Sequence, residues 1–152
     1  MSKIKVKRFH DFSYGHRVVG HESCCKFIHG HNGRVHFTCE AENGELDSIG
    51  RVIDFGEVKS KLCMWIENNW DHRFIAWNED PVVISLSMKL DSSYTENGIN
   101  ESFVFVPFNP TAENMAQYLV DVIGPQQLEG TGIVLTSVTI EETRKCSVTY
   151  NA

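Results

Sequence analysis

The chain has 152 residues, of which 41% are hydrophobic, and carries a formal net charge of -6 at pH 7. This length is typical of a single domain, 1–152, with a substantial core, and the acidic balance without a clustered basic stripe argues against a nucleic-acid partner or an anionic membrane surface. The sequence shows neither a signal-peptide pattern nor an apolar run that could span a bilayer, which predicts a cytoplasmic protein with a small-molecule partner.

The N-terminal half predicts two strands and a helix. Apolar residues between positions 4 and 12 indicate the first strand, and an alternation of apolar and polar residues over 35–41 indicates a second strand with one buried face. A capping box from Asp54 to Glu57 then starts an amphipathic helix that is expected to end near Trp70. Its tryptophans are interpreted as packing residues.

A second helix is predicted after Pro110, with Thr111 as its N-cap and Gly124-Pro125 as its end. Strands over 132–140 and 146–150 then form a closing antiparallel hairpin. Between the helices lies an insertion around 79–109, in which apolar runs at 82–86 and 103–106 flank turn-prone residues at 91–93 and 96–98. We interpret the insertion as a hairpin that extends the sheet or contacts another subunit, rather than as a lid over a pocket.

The segment His29-Gly30-His31 predicts half of a metal site. In an extended segment, residues two apart point to the same face, so both imidazoles can reach one metal ion. His16 offers a third imidazole, and a catalytic zinc needs three protein ligands plus an open position. Taken alone, a His-x-His pair in a glycine-rich loop is more often a pair of ordinary hydrogen-bonded histidines, and these residues leave that alternative open.

Two further motifs could carry chemistry near these histidines. Cys25 lies four residues before His29, and a nearby cation would favour its thiolate, although a loop cysteine beside Cys24 often has no role. In Asp71-His72, the carboxylate could orient an imidazole that shuttles a proton, although the dipeptide alone is a weak signal.

Two other patterns bear on the site and on the redox state. Glu141 and Glu142 follow each other on a predicted strand, so at most one of them is expected to enter a pocket. Such a carboxylate could accept two hydrogen bonds from a guanidine-like amide edge, or it could be an exposed strand end. The cysteines are odd in number and form no Cys-x-x-Cys pair, so reduced thiols are expected at Cys24, Cys25, Cys39, Cys63 and Cys146.

Several motifs in one order resemble a known family. They are Phe12-x-x-x-His16, Cys25-x-x-x-His29-Gly30-His31-Asn32, Val52-Ile53-Asp54-Phe55, Asp71-His72, Pro110-Thr111-x-Glu113-Asn114 and Glu142-Thr143. This combination resembles the 6-pyruvoyl-tetrahydropterin synthase / 6-carboxytetrahydropterin synthase family over nearly the whole chain, except the longer segment around 79–109. The resemblance implies an α+β tunnelling fold, an antiparallel four-stranded sheet with two helices on one face, and a homo-oligomer, trimer or hexamer, with active sites at subunit interfaces.

The resemblance also implies roles for nine residues. They comprise the Zn2+ ligands His16, His29 and His31, the catalytic thiol Cys25 with its acid/base partners Asp71 and His72, and the pterin-binding residues Glu142, Thr111 and Glu113. The chain departs from the family pattern at Ala112, where a hydroxyl residue is usual, and at Gly33, where an aromatic residue often follows the asparagine. These departures concern contacts with the substrate more than the metal.

The reaction implied by the resemblance converts 7,8-dihydroneopterin triphosphate to 6-carboxy-5,6,7,8-tetrahydropterin, a precursor of queuosine, and releases acetaldehyde and triphosphate. The three-residue gap between Cys25 and His29 and the 52–55 motif favour this lyase branch, since the pyruvoyl branch in animals usually has a longer gap. The alternatives are 6-pyruvoyl-tetrahydropterin formation, a zinc-dependent pterin hydrolase, and a non-catalytic zinc-binding module.

Overall fold

A mixed sheet of six strands forms the framework of the computed structural model, which describes residues 4–90 and 99–152. The strands are β1 (Val6–His16), β2 (His29–Ala41), β3 (Arg73–Trp77), β4 (Phe103–Val106), β5 (Ile133–Thr143) and β6 (Cys146–Asn151). Their order across the sheet is β4-β3-β1-β2-β5-β6. β1, β2, β5 and β6 pair antiparallel, as predicted, whereas β3 and β4 extend the sheet in parallel beyond β1. The α+β tunnelling fold is confirmed, but the predicted number of four strands was wrong.

Two long helices pack against one face of the sheet, and a shorter helix lies between them in sequence. The first long helix consists of α1 (Phe55–Val58), a π turn (Lys59–Cys63) and α2 (Met64–Asn69). The short helix is α3 (Pro81–Lys89). The second long helix consists of α4 (Ala112–Tyr118), a π turn (Leu119–Ile123) and α5 (Gly124–Gln127).

Both long helices begin where the sequence predicts. Asp54 is the N-cap of α1, since its carboxylate accepts a hydrogen bond from the amide of Gly56 at 3.0 Å. The Thr111 hydroxyl accepts a hydrogen bond from the amide of Asn114 at 3.1 Å and caps α4 in the same way. These side chains satisfy amide groups that have no partner inside the helix.

The hydrophobic core lies between the long helices and the sheet. Along β1 the burial alternates, so that Phe12, Tyr14 and His16 point into the core while the residues between them are more exposed. Trp70, at the end of the first long helix, is 1% exposed, which confirms its predicted packing role. The opposite face of the sheet is mostly polar, apart from the exposed ring of Phe9, and carries hydrogen-bonded pairs such as Ser13 with Asn32.

The insertion does not form the predicted hairpin. Residues 82–86 belong to helix α3, because Asp80 caps it by accepting a hydrogen bond from the Val82 amide and Pro81 stands at its first position. The β-branched run had suggested a strand, but this helix-start signal outweighs that weak preference. The second apolar run does form a strand, β4, which pairs in parallel with β3. The predicted tip at 91–93 and 96–98 lies outside the described residues.

β3 was not predicted at all. It has five residues and follows the first long helix almost directly, and its central residues Ile75 and Ala76 are both fully buried. A short strand between parallel neighbours is covered on both faces, so it lacks the apolar and polar alternation by which strands are recognised.

The second long helix continues past its predicted end. Helix α5 runs through Gly124 and Pro125 to Gln127. The amide of Gly124 donates to the carbonyl of Leu119, five residues earlier, so the regular bonding pattern is already interrupted before the proline. Pro125 has no amide hydrogen to donate, but at this position the helix therefore loses little hydrogen bonding.

Two chain-wide features bear on the expectations above. All five cysteines are free, which agrees with the expected reduced thiols. No helix within residues 4–90 and 99–152 has the length and hydropathy needed to cross a membrane.

Candidate functional site

Three histidines meet where β1 and β2 begin to pair. The antiparallel register places His16 opposite His29 and Tyr14 opposite His31. The ring centroids of His16, His29 and His31 lie 4.6 to 5.1 Å apart. The structure thus brings together the three predicted metal ligands.

Hydrogen bonds on the outer side of two rings leave the inner nitrogens free. Nδ1 of His16 lies 2.7 Å from the Pro110 carbonyl, and Nδ1 of His29 lies 2.7 Å from the Phe27 carbonyl. Because a carbonyl only accepts, each Nδ1 carries the proton and each Nε2 keeps its lone pair.

The freed nitrogens fit a metal ion. Nε2 of His16, His29 and His31 is buried in each case and has no partner in hydrogen-bond geometry. Buried polar atoms without partners are rare in folded proteins, and three converging imidazole lone pairs are a typical zinc donor set. Burial lowers the pKa of His31, which favours the neutral imidazole that metal binding requires.

Glu142 completes this cluster, which we call the histidine cluster. Its Oε1 lies 2.6 Å from Nε2 of His31 and 3.4 Å from Nε2 of His16, and one ligand atom from each of the four residues lies within 4.8 Å of the others. A register irregularity falls between Glu141 and Thr143, where β5 pairs with β6. Such a bulge can redirect a side chain, and here the carboxylate of Glu142 faces the histidines. In this position it can bind a cation or accept hydrogen bonds from a substrate.

Glu141 points to the opposite face of the sheet. There its carboxylate pairs with the imidazole of His36, on the polar face. The two successive glutamates thus face opposite sides of the sheet, as predicted, and the one beside the histidines is Glu142.

Asp71 and His72 form a hydrogen-bonded pair beside the polar face. Nδ1 of His72 lies 2.6 Å from Oδ2 of Asp71, whose Oδ1 accepts the amide of Ser13 at 2.9 Å. The amide of His72 donates to the Ser13 carbonyl at 2.7 Å, and the residue has a φ of 58°, a left-handed conformation uncommon outside glycine. The His72 side chain is 77% exposed. An open cleft of about 440 Å³ on this face is lined by His72 and by the segment from Gly30 to Asn32.

Replacing Asp71 by asparagine should lower the free energy of unfolding at pH 7 by about 1 kcal/mol, since it weakens two hydrogen bonds to a charged group. Burial raises the pKa of Asp71, but the Ser13 amide and the His72 ring outweigh it and hold the pKa below its ordinary 3.8. The unfolded chain therefore binds more protons between these two pKa values, so the carboxylate stabilises the fold above about pH 4 and this contribution is lost as the pH falls.

Urea unfolding of the wild type and Asp71→Asn at pH 7 and pH 3 measures this effect. We expect the difference between the two proteins to shrink at pH 3. Glu129→Gln, which neutralises an exposed carboxylate, is the matched control and should change stability little at either pH. An equal loss at both pH values would contradict the role of the charge.

Cys25 lies in a short 3-10 turn, Cys24–Lys26, just before β2. Its side chain is half-buried, and its carbonyl accepts a hydrogen bond from the amide of Val18 at 2.8 Å. Burial raises the pKa of the Cys25 thiol, and Cys24 and Glu142 raise it further. The surrounding protein groups thus favour the thiol, whereas a cation in the histidine cluster would favour the thiolate.

The start of α4 lies next to the histidine cluster, because the Pro110 carbonyl contacts His16. Thr111 uses its hydroxyl to cap the helix, and Glu113 is exposed in the first turn. Ala112 is 4% exposed and belongs to the core. The methyl group of Ala112 therefore packs within the protomer and offers no hydroxyl to a substrate.

The space beside the Cα atom of Gly33 is occupied by the ring of Tyr14. A Cβ atom at residue 33 would lie 2.9 Å from Cε1 of Tyr14 and 3.3 Å from the carbonyl oxygen of Glu141. The Tyr14 ring stacks on Phe12 and meets the His16 ring edge-on, with centroids 5.2 Å apart. The aromatic ring at this place in the site thus comes from Tyr14 on the neighbouring strand β1, and not from residue 33.

Sequence reasoning missed Tyr14 and two other residues near the site. The Tyr14 hydroxyl is buried without a hydrogen-bond partner, and burial together with Glu142 raises its pKa. Asn109 exchanges two hydrogen bonds with the backbone of Val19, and Arg17 forms an ion pair with Asp80. The partners are far apart in sequence, and only Asp80, directly before Pro81, carried a local signal, that of a helix cap.

Comparisons with known proteins agree over nearly the whole chain. A family model described as 6-pyruvoyl tetrahydropterin synthase matches residues 5–152. A 6-carboxy-5,6,7,8-tetrahydropterin synthase of Rickettsia typhi is 34% identical over 145 residues, which cover 95% of this chain and 98% of that protein. The protein of the same name in Haemophilus influenzae is 30% identical over 123 residues, covering 76% and 79%.

Solved structures show the same fold. An uncharacterized protein from Wolinella succinogenes superposes with a TM-score of 0.84 at 27% identity and covers 97% of both chains. The 6-pyruvoyl tetrahydropterin synthase of Caenorhabditis elegans superposes with a TM-score of 0.64 at 23% identity, covering 98% of this chain and 95% of that one, a likeness that concerns the fold alone.

Proposed function

The chain belongs to the 6-pyruvoyl tetrahydropterin synthase family, and from this membership we propose that it converts 7,8-dihydroneopterin triphosphate and water to 6-carboxy-5,6,7,8-tetrahydropterin, acetaldehyde and triphosphate. The observation that carries the proposal is the match to proteins of the carboxy-forming name along 95% of the chain. The short spacing between Cys25 and His29 supports the same branch of the family.

The histidine cluster supports a metal-dependent reaction. His16, His29 and His31 would hold Zn2+ through their buried Nε2 atoms, which converge beside the carboxylate of Glu142. When bound, the ion would polarise the hydroxylated side chain of the substrate and make its carbon-bound protons more acidic.

The remaining steps fall to groups of the protein. Cys25 would take a proton from the substrate side chain, and His72, oriented by Asp71, would return one at another position. Glu142 would accept hydrogen bonds from the guanidine-like edge of the pterin, and Thr111 and Glu113 would line the pocket at the start of α4.

We further propose a cytoplasmic homo-oligomer, a trimer or hexamer, with active sites between subunits and no nucleic-acid or membrane partner. β4 and β6 are the edges of the sheet, so each can pair with a strand of another copy. The cleft beside His72 on the polar face is also open to the surface, as expected if a second subunit closes it. Light scattering after size-exclusion chromatography measures the oligomeric state.

The decisive experiment incubates the zinc-loaded protein with 7,8-dihydroneopterin triphosphate and identifies the products by mass spectrometry. Equal amounts of acetaldehyde and 6-carboxy-5,6,7,8-tetrahydropterin are the expected result. The alternative, suggested by the description of the matching family model, is 6-pyruvoyl-tetrahydropterin with all three side-chain carbons retained. A hydrolysed pterin, or no product at all, would contradict both branches.

A further inference from the structure

A partly buried ion pair connects the insertion to the candidate site. Arg17 follows the proposed ligand His16 directly, and its Nε donates to Oδ2 of Asp80 at 2.7 Å. The side chain of Asp80 is 1% exposed, and that of Arg17 is 18% exposed. Oδ1 of Asp80 accepts the amide of Val82 at the start of α3, so the carboxylate is fixed on both sides.

The same guanidinium also holds the turn that carries Cys25. Nη1 of Arg17 donates to the carbonyl of Lys26 at 2.9 Å, and the amide of Val18 donates to the carbonyl of Cys25 at 2.8 Å. Two consecutive carbonyls of the turn are thus bound by two consecutive residues after His16. A guanidinium suits this task because its donors lie in one rigid plane and can serve two acceptors at once.

Asp80 is also fixed relative to the acid/base pair. β3 begins directly after His72 and ends at Trp77, whose carbonyl accepts the amide of Asp80 at 3.0 Å. The Arg17–Asp80 pair therefore joins three parts of the site: the end of β1, the Cys24–Lys26 turn, and the strand that follows Asp71 and His72.

We propose that Arg17 and Asp80 are positioning residues that hold the Cys25 turn against the end of β1, an inference that rests on the catalytic role proposed above for Cys25. Neither residue touches the substrate in this scheme. The first turn of the insertion provides the carboxylate that orients Arg17, and Arg17 orients the turn. The insertion thereby takes part in the reaction without lining the pocket.

Arg17→Lys in the zinc-loaded protein tests this proposal. An ammonium group keeps the charge beside Asp80 but lacks a second, rigidly placed hydrogen-bond donor for the Lys26 carbonyl. We expect kcat to fall about 10- to 100-fold while KM changes little, because the thiol is misplaced but the pterin pocket remains.

We also expect iodoacetamide to alkylate Cys25 of the Arg17→Lys protein faster than in the wild type, by about threefold or more, because the turn opens more often. Peptide mass spectrometry measures this rate against the exposed Cys146 of the same molecule.

The matched control is Arg51→Lys, since Nε of Arg51 donates to Oδ2 of Asp47 at 2.8 Å on the surface. This variant should keep wild-type kcat and wild-type alkylation rates. Asp80→Asn, which can still cap α3, should shift both quantities in the same direction as Arg17→Lys. Wild-type values of both quantities in Arg17→Lys and Asp80→Asn would overturn the proposal.

The alkylation measurement separates this proposal from the proposed function. A wild-type protein that forms no pterin product would refute the function, yet the alkylation rates of Cys25 would still decide whether the pair holds the turn. Thermal melts of each variant show whether it is folded, so that a change in rate is assigned to the turn rather than to global unfolding.

Discussion

Cys25→Ala should reduce pterin turnover by about 10²- to 10⁴-fold, the usual contribution of a positioned acid or base. The loss should appear in kcat, because the thiol acts on the substrate after it is bound. Bound metal should be unchanged, since the buried nitrogens of the cluster come from histidines on β1 and β2 rather than from the cysteine turn. Triphosphate release gives the rate, and inductively coupled plasma mass spectrometry gives the metal content.

Two cysteines provide controls for this variant. Cys24→Ser changes the neighbouring exposed thiol, and Cys146→Ala changes an exposed thiol at the start of β6. Both proteins should remain active and keep their metal. If Cys25→Ala turned over near the wild-type rate, the thiol would have no chemical role, and a metal-dependent hydrolase would become the better reading of the site.

The second large effect is expected from His31→Ala, which should lower the retained metal below about a tenth of the wild-type content after dialysis. Two imidazoles and a carboxylate would remain, and the buried site would lose one of its three converging imidazole nitrogens. Turnover should fall with the metal. The melting temperature should also fall, because a ligand that binds only the folded state stabilises it by about 3 to 4 kcal/mol when present well above its dissociation constant.

His36→Ala is the matched control for this substitution. His36 lies on the same strand as His31, but it pairs with Glu141 on the opposite face of the sheet. The variant should keep its metal and its turnover. Full metal retention by His31→Ala would show that the cluster is not the metal site, whatever the activity of the protein.

The histidine cluster could be predicted from sequence because its geometry is local. His29 and His31 share a face by the two-residue period of a strand, and the antiparallel pairing of β1 with β2 brings His16 opposite His29. The N-cap roles of Asp54 and Thr111 could likewise be predicted, since an N-cap acts on amides within three residues.

Features that depend on distant partners could not be predicted in this way. Arg17 and Asp80 are 63 residues apart, and no periodic pattern links them. β3 is buried between parallel neighbours, and α3 is built from residues that prefer strands, so in both cases the local pattern indicated the wrong structure or none. The ring of Tyr14 over Gly33 is also a contact between strands, visible only once their register is known.

The π turn in the first long helix sets the direction in which the chain leaves that helix. Its wider loop accommodates one residue more than a regular turn, and one residue corresponds to about 100° of rotation around the axis. Deleting any one of residues 59–63 would rewind the helix and swing the indole of Trp70 away from the interior, together with Asp71 and His72 behind it. The count of residues between Asp54 and Asp71 is therefore as much a requirement of the fold as their identity, and insertions or deletions there should be tolerated far less well than point substitutions.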